Sequence, residues 1–479
     1  MTATLTILQL NDLHGYVAPH PEMVRSGGDW SFAQLGGLAR IKTLFDTVRH
    51  ETSGAVLALD NGDTFHGTHV AVTSRGQALV PMMNALGMDA MTVHWEFAFT
   101  PQGVREIAEA LDYPILAINC YEKASGARMF EAWRVVERAG LRIGVVGIAS
   151  PVVATMPPAF GEGLRFTIGS EELPGAISHL REVERVDLVI VLSHLGFPQD
   201  VKLARDTDGI DALVSGHTHN RMDDAIVENG AIIFQSGCHG AFIGRLDLTI
   251  EDRRITSHQH RLIAIDETLA EDPAVSAMVD QALAPAREEM SEIVGTTAVA
   301  LHRYAMLQSP MDDLLLRAIA EAAGTRIAFS NGWRYGAPIQ PGPVTVNDLW
   351  NIIPVNPPVT TVELKGREIF EMLEDNLERT FAADPYRQMG GYVKRMRGLK
   401  LYFKAENPSG RRIDRLFAGE RRVLPDDNFK VAFVTAQGVP LKFGHNREAL
   451  DIDAITAMKR LLSRVGALDQ PEPQCVFEI

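Results

Sequence analysis

Hydrophobic positions in the first half of the chain follow two alternating periods. Thr4 to Leu10 has the every-second-residue pattern of a strand, Gly36 to His50 the three-and-four spacing of an amphipathic helix, and Ala55 to Leu59 a short apolar run of strand length. Similar runs return at Ile115 to Ile118, Arg142 to Gly147, Leu188 to Leu192, Ala212 to Val214 and Ile232 to Gln235, each ending in a polar cluster. Asp247 to Ala264 alternates like an edge hairpin, and Asp272 to Glu292 is an acidic, alanine-rich helical stretch. Short buried strands separated by amphipathic helices predict a layered α/β architecture.

After Gly295 the pattern changes. A helix is expected over Asp312 to Ala323, a strand over Ile327 to Ser330, a Gly/Pro-rich segment from Gly332 to Pro343, a strand over Thr360 to Leu364 and a helix over Arg367 to Glu378. Strands and turns come next, around Gly398 to Phe403, Ile413 to Leu416 and Val431 to Thr435. The expected division is residues 1–265, a helical linker over 266–292, and a second domain over 293–479. No apolar run nears the ~20 residues that span a bilayer, so no membrane partner is expected. Met1 to Gln9 lacks Lys and Arg and soon meets polar Asn11-Asp12, unlike a signal peptide, which predicts a cytoplasmic chain; a trimmed leader would make it periplasmic.

Composition narrows the partners. With 46 Lys plus Arg against 61 Asp plus Glu, the net charge of −15 repels a nucleic-acid polymer on average. Cys120, Cys238 and Cys475 are far apart and odd in number, which excludes a disulfide framework or a thiolate zinc cluster as the organising principle. The sequence leaves the oligomeric state open.

The candidate chemistry sits at the ends of the predicted strands: Asp12-Leu13-His14, Asp60-Asn61-Gly62-Asp63, Ser193-His194 and Gly216-His217-Thr218-His219. Strand ends of an open α/β sheet line the ligand crevice, so these groups can converge. On an extended chain, Asp12-x-His14 and His217-x-His219 would each present two side chains on one side, as two ligands of one metal site require. Carboxylate and imidazole without thiolate suit Mn²⁺ or Zn²⁺, and also Fe or Co. Asp63 is the candidate bridge between two such ions. A single Asp-x-His is usually a surface pair. Two imidazoles at a buried turn ask for something to ligate, and four such motifs in one order argue for a site.

That order, Asp12-x-His14, Gly62-Asp63, Ser193-His194 and Gly216-His217-x-His219, resembles calcineurin-like metallophosphoesterases. The second half is similar to the C-terminal domain of the bacterial 5′-nucleotidase/UDP-sugar hydrolase/2′,3′-cyclic phosphodiesterase family. The likeness spans about Leu5 to Thr435, including Leu86-Gly87-Met88-Asp89-Ala90-Met91, Ser330-Asn331-Gly332 and Val362-Glu363-Leu364-Lys365-Gly366. It implies an αββα catalytic sandwich, an α+β substrate-binding cap and two divalent ions. By position, Asp12, His14 and His219 would hold the first ion, Asp63 would bridge, and His194 and His217 would hold the second.

One stretch departs from the pattern. Where that family has Gly-Asn-His-Glu-Phe-Asp, this chain reads Val93-His94-Trp95-Glu96-Phe97-Ala98. The resemblance makes His94 a ligand of the second ion in place of Asn. The His-Asp dyad that steadies transition-state charge becomes Trp95 and Ala98, which cannot do so. A branch resembling the manganese-dependent thiosulfohydrolase of the bacterial sulfur-oxidation system does carry His-Trp-Glu-Phe. Gly332-Trp333-Arg334-Tyr335-Gly336 is similar to that branch's Gly-Phe-Arg-Trp-Gly, and Tyr386-Arg387-Gln388-Met389-Gly390-Gly391 falls near its glutamine/glycine-rich segment.

In the cap, Arg334 is the candidate for gripping an oxyanion with its planar fork, against a surface salt bridge. Asn331, Trp333 and Tyr386 are candidate substrate contacts, with Tyr335 and Tyr392 as further aromatics; packing is the competing use. His66 and His69 read as solvated loop histidines, with contact to substrate or support of the metal ligands as the alternative, Cys238 and His239 as structural, and Asn119 as bonding a loop. The expected activity is hydrolysis of a small anionic phosphate ester of the 5′-nucleotidase or cyclic phosphodiesterase type, with Asp63, His94 and Arg334 as catalytic groups. The alternatives are a sulfur-ester hydrolase and a metal-containing binding protein with little turnover.

Overall fold

The computed structural model describes residues 2–479, which form two compact units divided between Pro285 and Ala286. The first is built on two sheets. One has the strand order Arg254–Ala264, Phe242–Glu251, Thr2–Leu10, Val56–Asp60, Ala90–Met91; the other runs Ile226–Glu228, Ala231–Phe234, Ala212–Ser215, Leu188–Ser193, Leu141–Ile148, Trp133–Arg138.

Leu5, Ile7, Leu57 and Leu59 of the first sheet pack in one core with Val145, Ile190, Leu192 and Val214 of the second. Each fully buried Leu or Ile contributes about 1.5–3 kcal/mol, so a one-residue slip in register would turn a large stabilisation toward solvent. On the second sheet's other face, Val189, Val191 and Leu213 meet Leu173, Ile177 and Leu180 of the helix Leu173–Glu182 and Leu203 of Phe197–Asp206. The helix Leu38–Glu51 buries Leu38, Ile41, Phe45 and Val48. The layers are those of an αββα sandwich.

Parallel pairing brings the reactive strand ends to one edge. Leu10 pairs with Asp60, and Ser193 pairs with both Ser215 and Ile148, so the segments beyond these residues leave their sheets side by side. Two buried amides then tie sheet to sheet. Gln9 Nε2 donates to Asn61 Oδ1 and to Ser215 O, both at 2.7 Å, while Asn61 Nδ2 donates to Ser193 O and Val214 O, both at 2.9 Å.

Ile115 to Ile118 is not a strand. Ala117 N donates to Glu131 O and Ile118 N to Gly147 O, so successive amides turn to different neighbours and no continuous ladder forms. Gly147 is required there, since a Cβ would stand 2.2 Å from Leu116 O. The stretch expected as a helical linker contains the helices Pro273–Leu283 and Arg287–Ser291, the first capped by Asp272 accepting from Ala274 N and Val275 N. The division between the two units falls within this stretch.

The second unit is α+β. Its main sheet has the order Arg395–Arg397, Ile327–Ser330, Asn428–Phe433, Pro358–Lys365, His445–Asp453. Phe329, Val362 and Val431 of that sheet share a core with Ile369, Leu373 and Leu377 of the helix Gly366–Phe381. The helix Pro310–Ala323 begins at Ser309, whose side chain accepts from Asp312 N, and ends at left-handed Gly324. Among the described residues, no helix is long and apolar enough to cross a membrane.

Candidate metal centre

The strand ends do not stay extended. Asp12, His14, Asp63, His217 and His219 all have positive φ, at 47°, 50°, 55°, 73° and 58°. Non-glycine residues in this region are uncommon and persist only where the surroundings hold them. The expectation that extended geometry pairs His217 with His219 at one ion is therefore corrected. Left-handed turns aim the two imidazoles into different groups of donors.

Those groups are Asp63, His94, His194 and His217, and Asp12, His14, Asp63 and His219, with the ligand atoms in each within 4.8 Å of one another. Asp63 is common to both. Its Oδ2 lies 3.5 Å from His14 Nε2 and 3.3 Å from His194 Nε2, and its Oδ1 lies 3.0 Å from His94 Nδ1. Asp12 Oδ1 is 3.2 Å from His219 Nε2, which is 3.4 Å from His14 Nε2. Ligands about 2.0–2.2 Å from a shared tetrahedral cation stand roughly 3.3–3.6 Å apart, so these spacings suit metal donors.

Outer hydrogen bonds fix which atoms face inward. His194 Nδ1 donates to Asn61 O at 2.6 Å and His14 Nδ1 to His66 O at 3.1 Å, which leaves Nε2 of each for the centre. Asp63 Oδ1 accepts from Trp95 N at 2.7 Å, and Asp12 Oδ2 from His217 N at 3.0 Å. Gly67 lets the loop after Asp63 cross His14, where a Cβ would stand 2.5 Å from His14 O.

The electrostatics are those of a site that wants cations. Burial, with the neighbouring Asp63 charge, raises the Asp12 carboxyl to about 6 against the opposing pull of His194. Burial would also raise Asp63, but His94, His194 and His14 outweigh it and hold that carboxyl well below its usual range. Burial lowers His14 to about 3. Burial works in the same direction on His194, yet Asp63 and Asp12 carry its pKa up to about 10. His94 Nε2 is buried without a hydrogen-bond partner. Imidazole nitrogen with carboxylate oxygen fits Mn²⁺ or Zn²⁺ chemistry.

Residues 5–221 match the family described as calcineurin-like phosphoesterase, and residues 293–435 match the 5′-nucleotidase C-terminal domain. The chain therefore carries a calcineurin-like phosphoesterase domain followed by a 5′-nucleotidase C-terminal domain. It is a metal-dependent hydrolase of the phosphoesterase class. The trifunctional nucleotide phosphoesterase protein YfkN of Bacillus subtilis is 27% identical over 493 residues, covering 91% of this chain and 32% of that protein, so the chain spans about a third of it. The probable 5′-nucleotidase of Treponema pallidum is 24% identical, covering 78% of this chain and 75% of that one. Among solved structures, the sulfate thiohydrolase SoxB of Thermus thermophilus matches with a TM-score of 0.93 at 25% identity, covering 99% of this chain and 96% of that one. A 5′-nucleotidase precursor, also of Thermus thermophilus, matches in fold with a TM-score of 0.86 at 22% identity, covering 99% of each.

In this phosphoesterase the side chains of Trp95 and Ala98 occupy the stretch where the resemblance places a His-Asp dyad. Trp95 instead stacks on His66. The reading of His66 as solvated is corrected: it is 1% exposed, and burial lowers its pKa to about 4. Asn119 bonds loops as expected, donating to Ala149 O and Thr167 O.

Sequence reasoning missed Glu96 as a positioning residue. Its buried carboxylate accepts from Thr64 N at 2.6 Å, Phe65 N at 3.3 Å and His94 N at 2.9 Å, joining the Asp63 loop to the His94 loop. The signal was its place two residues beyond His94. His20 and Glu22 were missed entirely. They lie on the hairpin strand His20–Ser26, outside any strand-end motif.

In the second unit, Arg334 Nη2 donates to Gly391 O at 3.2 Å and its guanidinium lies 5.2 Å from the Tyr392 ring. Asn331 and Tyr386 are half-buried. Trp333 is buried, with the Arg303 guanidinium 5.6 Å from its ring, so packing occupies at least part of its surface.

Proposed function

We propose that the chain hydrolyses a small phosphate ester of the nucleotide or cyclic-nucleotide type with two divalent ions, Mn²⁺ or Zn²⁺, held by Asp12, His14, Asp63 and His219 and by Asp63, His94, His194 and His217. The observation that carries the reading is the Asp63 carboxylate shared by both donor groups. Bound ions of this kind lower the pKa of a water and neutralise charge on the reacting ester. The chain's own groups do the rest. Asp63 is held by Trp95 N, which fixes the oxygen that faces His94. His94 supplies an imidazole where the family has an amide, and His194, tethered to Asn61 O, keeps Nε2 toward Asp63. Arg334 is the proposed oxyanion ligand of the second unit, with Asn331, Trp333 and Tyr386 as substrate contacts.

A second reading, hydrolysis of a sulfur ester, is favoured by the likeness to the sulfate thiohydrolase and by His94-Trp95-Glu96-Phe97. The two readings separate in one assay. Metal-loaded protein is offered 5′-AMP, 2′,3′-cyclic AMP, bis-p-nitrophenyl phosphate and cysteine S-sulfonate, with release of phosphate, nucleotide, nitrophenol and sulfate measured. Turnover of a phosphate ester that is lost in Asp63→Asn supports the first reading. Turnover of the S-sulfonate alone replaces it with the second.

A further inference from the structure

A third group of donors stands beside the metal centre. His20, Glu22 and His239 offer ligand atoms within 4.8 Å of one another, and all three are buried. They come from two distant stretches, the hairpin strand His20–Ser26 and the turn after Ala231–Phe234, where His239 sits at a positive φ of 62°.

We propose that His20, Glu22 and His239 form a third metal site that takes one divalent transition-metal ion, Zn²⁺ in preference to Mn²⁺. Two imidazoles and one carboxylate form a donor set used by zinc and non-haem iron sites that keep open positions. His20 Nε2 is buried without a hydrogen-bond partner, a costly state that a cation relieves. The ring has its place because Gly36 carries no side chain: a Cβ there would stand 2.9 Å from His20 Cε1.

The carboxylate is oriented for the purpose. Arg221 Nη2 lies 2.9 Å from Glu22 Oε1, while Arg221 Nη1 is held by Met23 O at 2.6 Å, so the arginine engages one oxygen. The other oxygen, Oε2, lies 3.7 Å from His239 Nδ1. Outer hydrogen bonds of this kind commonly orient ligating carboxylates. Cys238 Sγ lies 3.5 Å from His239 Nδ1, outside the group formed by His20, Glu22 and His239. Donors of one tetrahedral ion stand roughly 3.3–3.6 Å apart, so drawing together a group whose atoms lie within 4.8 Å of one another requires shifts of about an ångström. His239 lies 6.0 Å from His14 and 6.2 Å from His219, ring centre to ring centre, so an ion here adds positive charge next to the first donor group.

The test is metal content with position. Full-length protein is saturated with Zn²⁺ or Mn²⁺, desalted and measured by elemental analysis, and zinc-loaded crystals are measured at the zinc absorption edge. The expected result is three zinc ions per chain, one anomalous peak among His20, Glu22 and His239, and loss of one ion per chain in His20→Ala and in Glu22→Gln. The anomalous map of the unaltered protein keeps the test independent of whether a variant folds. Two ions per chain with no peak at His20 overturns the proposal, as does a folded His20→Ala protein that still binds three. Asp63→Asn, which tests the two-ion reading, leaves the third peak in place, so failure of one proposal is distinct from failure of the other.

Discussion

The Trp95 indole stacks on the His66 imidazole with ring centres 4.9 Å apart and planes 16° from parallel, while Trp95 N donates to Asp63 Oδ1 at 2.7 Å. The backbone of this residue serves the donor group and its side chain walls it with an apolar ring. A His-Asp pair at positions 95 and 98 would instead offer a protonated group to the ester. Proton donation by a positioned side chain is typically worth about 10²–10⁴ in rate, most of all for poor leaving groups. The double variant Trp95→His, Ala98→Asp is expected to raise turnover of 5′-AMP by at least about tenfold relative to p-nitrophenyl phosphate. Equal effects on the two substrates would reject the idea that this position controls leaving-group demand.

Asp63 is the residue both donor groups share, so its replacement is expected to be the most damaging single change at the centre. Asp63→Asn removes a negative charge buried at 2% exposure among His14, His94 and His194. Activity should fall by at least about 10²-fold, the scale of losing one charge-stabilising group, and bound metal should fall with it. Elemental analysis beside the rate measurement checks both. Retention of full metal content with full activity would refute the shared-carboxylate mechanism.

Much of this centre was legible because its residues come directly after apolar runs. Leu188 to Leu192 and Ala212 to Val214 are visible as strands, and residues just past the end of a parallel strand must emerge at the sheet edge. Strand periodicity carried no sign that His217 and His219 would separate, because that depends on left-handed backbone at both residues; only the resemblance assigned them to different ions. Nor could it reveal His66 as buried, since burial there comes from the ring of Trp95, distant in sequence. The group of His20, Glu22 and His239 was illegible for a related reason: two of its members lie on a hairpin strand whose mixed polar sequence, His-Pro-Glu-Met-Val-Arg-Ser, reads as a surface strand although both are buried, and only the fold brings His239 to them.

The second unit holds a charge network whose removal should be felt as stability. Asp312 Oδ1 accepts from Arg303 Nε at 3.0 Å and Nη2 at 2.9 Å, its Oδ2 lies 2.9 Å from Arg395 Nε, and Ser309 Oγ donates to Oδ2 at 2.7 Å. All three charged side chains are essentially buried. Asp312→Ala would leave two guanidinium groups without their anion, at a cost of about 3–5 kcal/mol. Urea unfolding followed by circular dichroism measures it. A companion variant that replaces Asp312, Arg303 and Arg395 together with apolar residues should recover much of that loss, because no unpaired charge remains buried. A single-variant loss below about 1 kcal/mol would mean the network adds little beyond its packing.

Lys394 gives a pH dependence of definite sign. Its ammonium group is buried, with Nζ donating to Gln437 O at 2.7 Å and Gly438 O at 2.9 Å. Burial, aided by the charge of Arg379, lowers its pKa from 10.5 to about 7. Between those values the unfolded chain carries a proton that the folded chain lacks, so this residue's contribution rises with pH. It is fully present above 10.5 and is lost as the pH falls through about 7. Lys394→Met abolishes the titration and leaves only a constant offset from the two carbonyls. The difference in unfolding free energy, Lys394→Met minus unaltered protein, should therefore decrease with rising pH across this window, with a slope approaching about 1.4 kcal/mol per pH unit. Urea titrations at pH 7, 8 and 9 measure that difference directly; a flat or increasing difference would place a charged, ordinarily basic ammonium in the folded state.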